Sequence, residues 1–266
     1  MVQILLKKCL YKKMFFSIII TTYNYEKYIK ESIESVLNQD FSEEYEIIVV
    51  DDHSADSTSI ILDSYDSIIR INNKKNLSLE VSANKGIRKA NGKYIVRLDA
   101  DDYLESNFLS EMFKHIEDES TFYYGDYTVV STDGSHLSKV NLIDFDKDEI
   151  RCRGDFLATG TVYSKKMLLD LGLYSEETKN CGLENYQLIL KLISKGYMGK
   201  HLKNNLFFYR SHDGNLSFEN FESIVDYGNE MVRQFGLDFY AINQYHPYLN
   251  AEDGNLNTLK YINYTK

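Results

Sequence analysis

The sequence predicts an α/β fold built on a parallel sheet that is flanked by helices. Two observations support this prediction: strand-like and helix-like segments alternate along the chain, and polar residues gather where successive strands end. A helix between two strands carries the chain back across the sheet, so that the strands pair in parallel. The 266 residues suffice for one large domain or for two closely packed lobes.

Three strands are predicted in the first half of the chain. Residues 15–20 and 46–50 are almost wholly apolar, which is typical of parallel strands covered on both faces. Residues 94–98 are rich in β-branched and aromatic side chains, and Gly92 marks the start of that strand. Apolar spacing also predicts helices at 29–37 and 60–69 and a short third helix that ends near residue 91.

The second half of the chain continues with further helices and strands. Gly172 and Gly196 each follow an amphipathic segment and are expected to end its helix. The remaining predicted elements are helices at 108–113, 165–171 and 184–194, strands at 121–131, 159–163 and 206–210, and a helical tail beyond residue 217.

The composition excludes several classes of protein. A formal net charge of −10 argues against a general nucleic-acid binder, although a metal ion would still allow one nucleotide to bind. The three cysteines are scattered without a CxxC pair, which fits a reducing compartment and gives no zinc or disulfide framework. Because no apolar run approaches the roughly 18 residues of a membrane-spanning helix, no transmembrane helix is expected.

A cluster of carboxylates, Asp99, Asp101 and Asp102, follows the third predicted strand. If the backbone stays extended there, Asp99 and Asp101 point to the same face and repel each other unless a cation lies between them and a ligand. Mg²⁺ and Mn²⁺ prefer such oxygen ligands. The alternative is an acidic turn that caps the next helix. Thr21 and Asp52 end the other two strands, and ligands of open α/β sheets bind where such strand ends converge.

Residues 1–13 differ from the rest of the chain because they carry several lysines and apolar residues but no acidic residue. They lack the features of a convincing signal peptide. Two interpretations stay open: a basic amphipathic contact with anionic lipid at the inner face of the plasma membrane, or an upstream extension of a protein that starts at Met14. The expected domains are residues 1–13, 14–217 and a C-terminal helical tail at 218–266.

Five segments taken together resemble family 2 glycosyltransferases of the GT-A fold. They lie at 17–24 (Ser-Ile-Ile-Ile-Thr-Thr-Tyr-Asn), 33–39, 48–58, 84–87 (Asn-Lys-Gly-Ile) and 92–102, the last of which contains the DXD motif. The resemblance covers residues 15–217. It implies a Rossmann-like, mostly parallel central sheet with a nucleotide-binding half at 14–102 and an acceptor half at 103–217.

The resemblance also implies an activity. Members of this family transfer a sugar from a nucleotide sugar, usually a UDP-sugar, to an acceptor hydroxyl with inversion. For this chain the implied function is that of a cytoplasmic hexosyltransferase (EC 2.4 class) in surface polysaccharide or glycan biosynthesis. The implied acceptor is a glycan or a lipid-linked molecule, the implied cofactor is Mn²⁺ or Mg²⁺, and no nucleic-acid partner is expected.

Site residues follow from the positions of the matching motifs. The implied nucleotide-binding residues are Thr21, Tyr23, Asp52, Asn84 and Asp99, with Asp52 by the base and Asp99 by the ribose. The implied metal ligands are Asp101 and Asp102, with His212 as a further ligand from the end of the domain. The implied wall around the donor sugar and acceptor includes Thr159 and Gly160, and Arg210 belongs to the late segment that closes over the diphosphate. The implied catalytic positions are Glu184 and Asn185.

Two positions depart from the pattern of the family. Ala83 occupies the position before Asn84 where an arginine is common, so Lys85, Arg88 or Arg97 would have to supply the cation for the diphosphate. Asn185 occupies the position of the usual general base, an aspartate. An amide does not accept a proton at neutral pH, so Glu184 either replaces that base or only caps its helix.

Two other classes of function compete with glycosyl transfer. A nucleotidyltransferase usually carries a glycine-rich loop with a lysine or arginine after its first strand, and residues 21–25 contain no such loop. The alternative kept open is a degenerate GT-A module that binds a nucleotide or a partner enzyme without catalysis. The departures at Ala83 and Asn185 are the reason to keep it.

Overall fold

A computed structural model describes residues 14–142, 144–147, 160–177, 179–180, 182–215, 230–231 and 233–236. The predicted extension at 1–13, nearly all of the predicted tail at 218–266 and the site residue Thr159 lie outside these ranges. The predicted domain boundaries therefore stay predictions. None of the helices in the described ranges has the length and hydropathy needed to cross a membrane.

The first half of the chain forms the parallel half of the sheet. Its strands lie in the order β3-β2-β1-β4, and each neighbouring pair is parallel. The strands are β1 (Phe16–Thr22), β2 (Tyr45–Asp51), β3 (Ile69–Asn72) and β4 (Tyr94–Asp99), and the helices between them are α1 (Ile29–Leu37), α2 (Thr58–Leu62) and α3 (Leu79–Lys89).

The second half extends the same sheet with mixed strand directions. From β4 the order continues β8-β6-β9-β5, and β7 pairs with β6. β8 is antiparallel to β4 and β6, β9 is parallel to β6, and β5 is antiparallel to β9. The elements are β5 (Tyr103–Leu104), α4 (Phe108–His115), β6 (Thr121–Val130), β7 (His136–Val140), β8 (Val162–Ser164), α5 (Lys165–Asp170), α6 (Glu184–Ser194) and β9 (Met198–Arg210).

One predicted helix was too long at its C-terminal end. The helix predicted at 60–69 ends at Leu62, and Ile69 instead begins β3, where it pairs with Ile48 of β2. Short apolar runs fit a helix or a strand equally well, and here pairing with the sheet decides. The extended backbone of β4 ends at Asp99, where the Asp102 N–H donates to the Asp99 carbonyl at 3.2 Å and closes a turn, so the condition for Asp99 and Asp101 to share one face is not met.

Close packing of α3 on the sheet fixes the ends of β1 and β2. Every residue of β1 is buried, as are the last six residues of β2. α3 lies so close to β1 that a Cβ on Gly86 would overlap the Ile19 side chain. The carboxyl ends of β1, β2 and β4 therefore meet at a fixed edge of the sheet.

At the opposite edge of the sheet, Gly92 packs against the start of β1. Its N–H donates to Ser17 Oγ at 2.8 Å, and a Cβ would lie 2.5 Å from both Ser17 N and Ser17 Oγ. Gly92→Ala should therefore lower the free energy of unfolding by about 3 kcal/mol in denaturant titrations, the upper end for overpacking. The control Gly172→Ala adds a Cβ with no atom within 4 Å at φ +78°. It should cost about 1 kcal/mol, and equal losses from both variants would contradict the packing argument.

Candidate active site

A cavity of about 870 Å³ opens at the carboxyl ends of the parallel strands. It is lined by the loop at 21–28, by the turn that follows β4, by the start of α6 and by the segment after β9. This is the edge at which open α/β sheets bind ligands. The structure thus brings together the polar clusters that the sequence placed at separate strand ends.

The loop after β1 is held by the loop after β2. Asn24, at φ +60°, donates its N–H to Ser54 Oγ at 2.9 Å and accepts from the Ala55 N–H through Oδ1 at 2.8 Å. This exchange places Thr21 and Tyr23 in the lining of the cavity. Tyr23 is 44% exposed, so part of this residue is accessible to a ligand.

Asp52 also lines the cavity, but its carboxylate already holds the following loop. Its oxygens accept from Asn73 Nδ2 at 2.7 Å, from the Leu77 N–H at 2.9 Å and from the Ser78 N–H at 2.9 Å. A carboxylate has about four acceptor positions, so little capacity remains for a base. Asp52 thus shapes this part of the cavity by holding the loop at 73–78.

The turn after β4 concentrates negative charge. Asp101 and Asp102 are buried and Asp99 is partly buried, and all three line the cavity. Burial, opposed by the nearby Arg97 and reinforced by Asp101, raises the pKa of Asp99 to about 6. Burial and the neighbouring Asp101 and Asp99 raise the pKa of Asp102 well above its usual value. The folded chain therefore holds these charges at a cost in stability.

His212, one of the implied metal ligands, lies against this turn. Its Nε2 is 2.9 Å from Asp101 Oδ2, and its Nδ1 accepts from the Gly214 N–H at 3.1 Å. Because Nδ1 accepts, Nε2 carries the proton and donates to Asp101. The imidazole also stacks on Tyr28, with ring centroids 5.2 Å apart.

Arg210 supports the acidic turn from behind and does not line the cavity. Its backbone N–H donates to Asp102 Oδ1 at 2.9 Å, and its Nε donates to the Asp101 carbonyl at 2.9 Å. The guanidinium also pairs with Glu31 and lies 5.0 Å from the centroid of the Tyr28 ring. Every part of this buried side chain is engaged within the fold, so its role here is to position the turn.

The donor atoms at the turn fit a hard divalent ion. No three His, Cys, Asp or Glu side chains within the described ranges form a complete metal centre. However, Mg²⁺ commonly takes only one or two carboxylates and completes its shell with substrate phosphates and water. Asp102 Oδ2 is buried without a hydrogen-bond partner among the described residues. Among the described lining residues, the basic Lys27 and Arg97 face an excess of acidic ones: Glu26, Asp52, Asp56, Asp99, Asp101, Asp102, Glu184 and Asp213.

Glu184 and Asn185 line the cavity at the first turn of α6. The N-cap of this helix is Leu183, and the Glu184 carboxylate instead pairs with Arg97 at 3.1 Å. Arg97 also pairs with Asp99 at 3.2 Å, so one buried guanidinium links the acidic turn with the start of α6. Asn185 Oδ1 accepts from the Tyr174 hydroxyl at 3.2 Å.

Some implied site residues lie elsewhere. Asn84 is fully buried outside the lining, where it pairs with Tyr174. Gly160, at φ +82°, donates its N–H to the Arg97 carbonyl at 3.0 Å and also lies outside the lining. Of the three cations considered for the diphosphate, Lys85 and Arg88 are engaged with Asn73 and Glu176, and only Arg97 lines the cavity.

Sequence reasoning missed Lys27, Tyr25 and Tyr28, all in the lining of the cavity. Their position directly after β1 was the available signal, because loops at the carboxyl ends of parallel strands form ligand sites. Burial and the nearby Asp101 raise the pKa of Tyr25, so this phenol stays protonated. Tyr174 and Asn215 were missed because only long-range contacts bring them to the site.

The raised pKa of Asp99 predicts a pH-dependent cost in stability. The folded state binds a proton on Asp99 more readily than the unfolded chain does, so the cost is present above pH 6 and falls as the pH drops through about 6. Asp99→Asn should raise the free energy of unfolding by about 1 kcal/mol at pH 8 in EDTA. The exposed Asp66→Asn should have no effect. A lower stability for Asp99→Asn than for wild type at pH 8 would contradict this.

Comparison with solved structures supports the fold. The structure of residues 1–349 of TarS from Staphylococcus aureus in complex with UDP-GlcNAc matches with a TM-score of 0.66 and 21% sequence identity. The match covers 82% of this chain and 65% of that chain. At this identity the likeness shows a shared fold, and the predicted GT-A fold is confirmed.

Curated relatives and a family model give the family. An uncharacterized glycosyltransferase of Methanocaldococcus jannaschii is 42% identical over 106 residues, which are 38% of this chain and only 37% of that relative. The Escherichia coli UDP-Glc:alpha-D-GlcNAc-diphosphoundecaprenol beta-1,3-glucosyltransferase WfaP is 28% identical over 245 residues, 85% of this chain and 92% of WfaP. The model of glycosyl transferase family 2 matches residues 17–168, more than half of the chain. The chain therefore belongs to glycosyl transferase family 2.

Proposed function

We propose that this protein transfers a sugar from a UDP-sugar to an acceptor hydroxyl with inversion, in the biosynthesis of a surface polysaccharide or glycan. The observation that carries the proposal is the cavity that joins the acidic turn and His212 at one end to Glu184 and Asn185 at the other. The name of WfaP gives a UDP-sugar donor and a diphosphoundecaprenol-linked acceptor, and the TarS structure holds UDP-GlcNAc. Both support a donor and an acceptor of these classes.

The nucleotide occupies the end of the cavity formed by the loops after β1 and β2. Tyr23 offers its exposed ring to the base, and Thr21 and Asp99 face the ribose side. The Thr21 hydroxyl supports this placement, since it is buried without a partner among the described residues. Asp52 holds the loop at 73–78 that completes this end.

Mn²⁺ or Mg²⁺ would be held by Asp101 and His212, with Asp102 beside them. His212 would bind the ion through Nε2, so its ring proton would have to lie on Nδ1 and the contact of Nδ1 with the Gly214 N–H would be lost. When bound, the ion would neutralise the charge that develops on the leaving nucleoside diphosphate. The excess of acidic residues in the lining supports this assignment, because a diphosphate entering the cavity unaccompanied would meet strong repulsion.

Glu184 takes the proton of the acceptor hydroxyl. Its carboxylate lies in the cavity at the start of α6, and Asn185 beside it has no basic atom at neutral pH. The Arg97 guanidinium, 3.1 Å from the Glu184 carboxylate, holds this side chain in place in the cavity. We place the protein in the cytoplasm, in peripheral contact with the membrane that carries a lipid-linked acceptor.

Removing the proposed metal ligand should abolish cation-dependent nucleotide binding. In calorimetric titrations of UDP with MnCl₂, Asp101→Ala should weaken binding at least about 100-fold, the loss of about 3 kcal/mol expected for a charged ligand. Asp66→Ala, an exposed carboxylate outside the cavity lining, is the matched control and should bind as wild type does. Wild-type affinity in Asp101→Ala would refute the assignment.

The assignment of Glu184 as the general base is tested by two substitutions, one at Glu184 and one at the adjacent Asn185. Glu184→Gln should reduce turnover roughly 10²–10⁴-fold, the usual contribution of a general base, while the dissociation constant for UDP with Mn²⁺ stays within about twofold. Asn185→Asp should change turnover little, because Glu184 already acts. If Asn185→Asp raises turnover sharply while Glu184→Gln has no effect, the natural site is degenerate and Glu184 is structural.

A further inference from the structure

The motif residue Asn84 lies apart from the cavity and engages a different partner. Its side chain is fully buried, and its amide forms a two-way pair with the backbone of Tyr174. Asn84 Nδ2 donates to the Tyr174 carbonyl at 2.9 Å, and the Tyr174 N–H donates to Asn84 Oδ1 at 3.1 Å. Nδ2 also donates to Glu176 Oε1 at 2.8 Å, so both of its protons are used. No donor of this side chain remains for a nucleotide.

Tyr174 in turn contacts two residues that line the cavity, Asn185 and Arg97. Its hydroxyl donates to Asn185 Oδ1 at 3.2 Å. Its ring lies beside the Arg97 guanidinium, 5.7 Å from the ring centroid, and Arg97 in turn pairs with Glu184 at 3.1 Å. Both residues at the start of α6 are therefore placed relative to a tyrosine that Asn84 fixes.

α3 forms a second set of hydrogen bonds with the chain segment that precedes α6. The Leu79 N–H donates to Asn180 Oδ1 at 3.0 Å, and the Asn180 N–H donates to Glu80 Oε2 at 3.1 Å. The Glu80 side chain is buried, so this contact is shielded from water. One helix thus holds the chain before α6 at Tyr174 and again at Asn180.

We propose that Asn84 is a positioning residue for the acceptor end of the cavity: through Tyr174 it sets where Asn185 and the Arg97–Glu184 pair lie. This inference rests on the proposed function only for its effect on turnover. A displacement of about 1 Å of a catalytic group can reduce a rate about 100-fold. Because Tyr174 contacts Asn185 directly, the buried contact between Asn84 and Tyr174 can therefore have a large effect on turnover.

Asn84→Asp is the sharpest test, because it keeps the shape and the acceptor Oδ1 but replaces the donating NH₂. The new carboxylate faces the Tyr174 carbonyl and Glu176, and it should push Tyr174 away. Turnover should fall about 100-fold, while the dissociation constant for UDP with MnCl₂ stays within about twofold. Hydrogen exchange should rise at 173–177 and 182–185.

Asn91→Asp is the matched control, since Asn91 Nδ2 likewise donates to a carboxylate, Glu46, at 3.1 Å, but outside the cavity lining. It should leave turnover and exchange at 182–185 unchanged. Tyr174→Phe removes only the hydroxyl and serves if Asn84→Asp fails to fold; it should lower turnover about tenfold with UDP affinity retained.

The outcomes separate this inference from the proposed function. A tenfold weaker UDP affinity in Asn84→Asp, with exchange at 182–185 unchanged, would make Asn84 a nucleotide-binding residue and overturn the inference. Unchanged turnover in both Asn84→Asp and Tyr174→Phe would overturn it as well. If the wild-type protein transfers no sugar, the proposed function fails, and the exchange measurement alone still decides whether Asn84 holds the start of α6.

Discussion

The acidic turn after β4 is the constraint on which the rest of the site depends. Its carboxylates line the cavity, where burial disfavours their charge, and the Arg97 guanidinium and the backbone N–H of Arg210 offset part of that cost. Arg97 pairs with Asp99 from within β4, and Arg210 binds Asp101 and Asp102 from the end of β9. Removing Arg97 would leave the Asp99 and Glu184 carboxylates without their buried cation, which is strongly destabilising, whereas Arg97 keeps Glu184 as a partner when Asp99 is neutral.

The mixed half of the sheet places the end of β9 beside this turn. The antiparallel pairing of β5 with β9 places Tyr103 opposite Phe208 and Leu104 opposite Phe207. In that register Arg210 falls beside Asp101 and Asp102, and His212 follows two residues later. A slip of one residue would turn the Arg210 side chain to the other face of the sheet and leave the turn without support.

Much of the fold could be predicted from the sequence because its signals are local. Apolar spacing gave the helix at Glu184–Ser194 with its observed bounds, and the strand ends located the ligand cavity. β3 was missed because Ile69 follows an apolar run that fits either a helix or a strand, and only pairing with β2 decides between them. The roles of Asn84 and Arg210 could not be predicted, because their partners Tyr174 and Asp102 are about a hundred residues away in the chain.

The amide at position 185 is consistent with the charge balance of this cavity. Arg97 is the cation shared by Asp99 and Glu184, and the other basic residue in the described lining, Lys27, is exposed. An aspartate at 185 would add one more carboxylate to a cavity lining that already carries an excess of acidic residues, and like charges repel one another. Asn185 keeps the hydrogen bond from Tyr174 without adding charge. The Glu184–Arg97 ion pair and the amide at position 185 are therefore consistent with each other: the cavity pairs one carboxylate of α6 with its buried cation and adds no second one beside it.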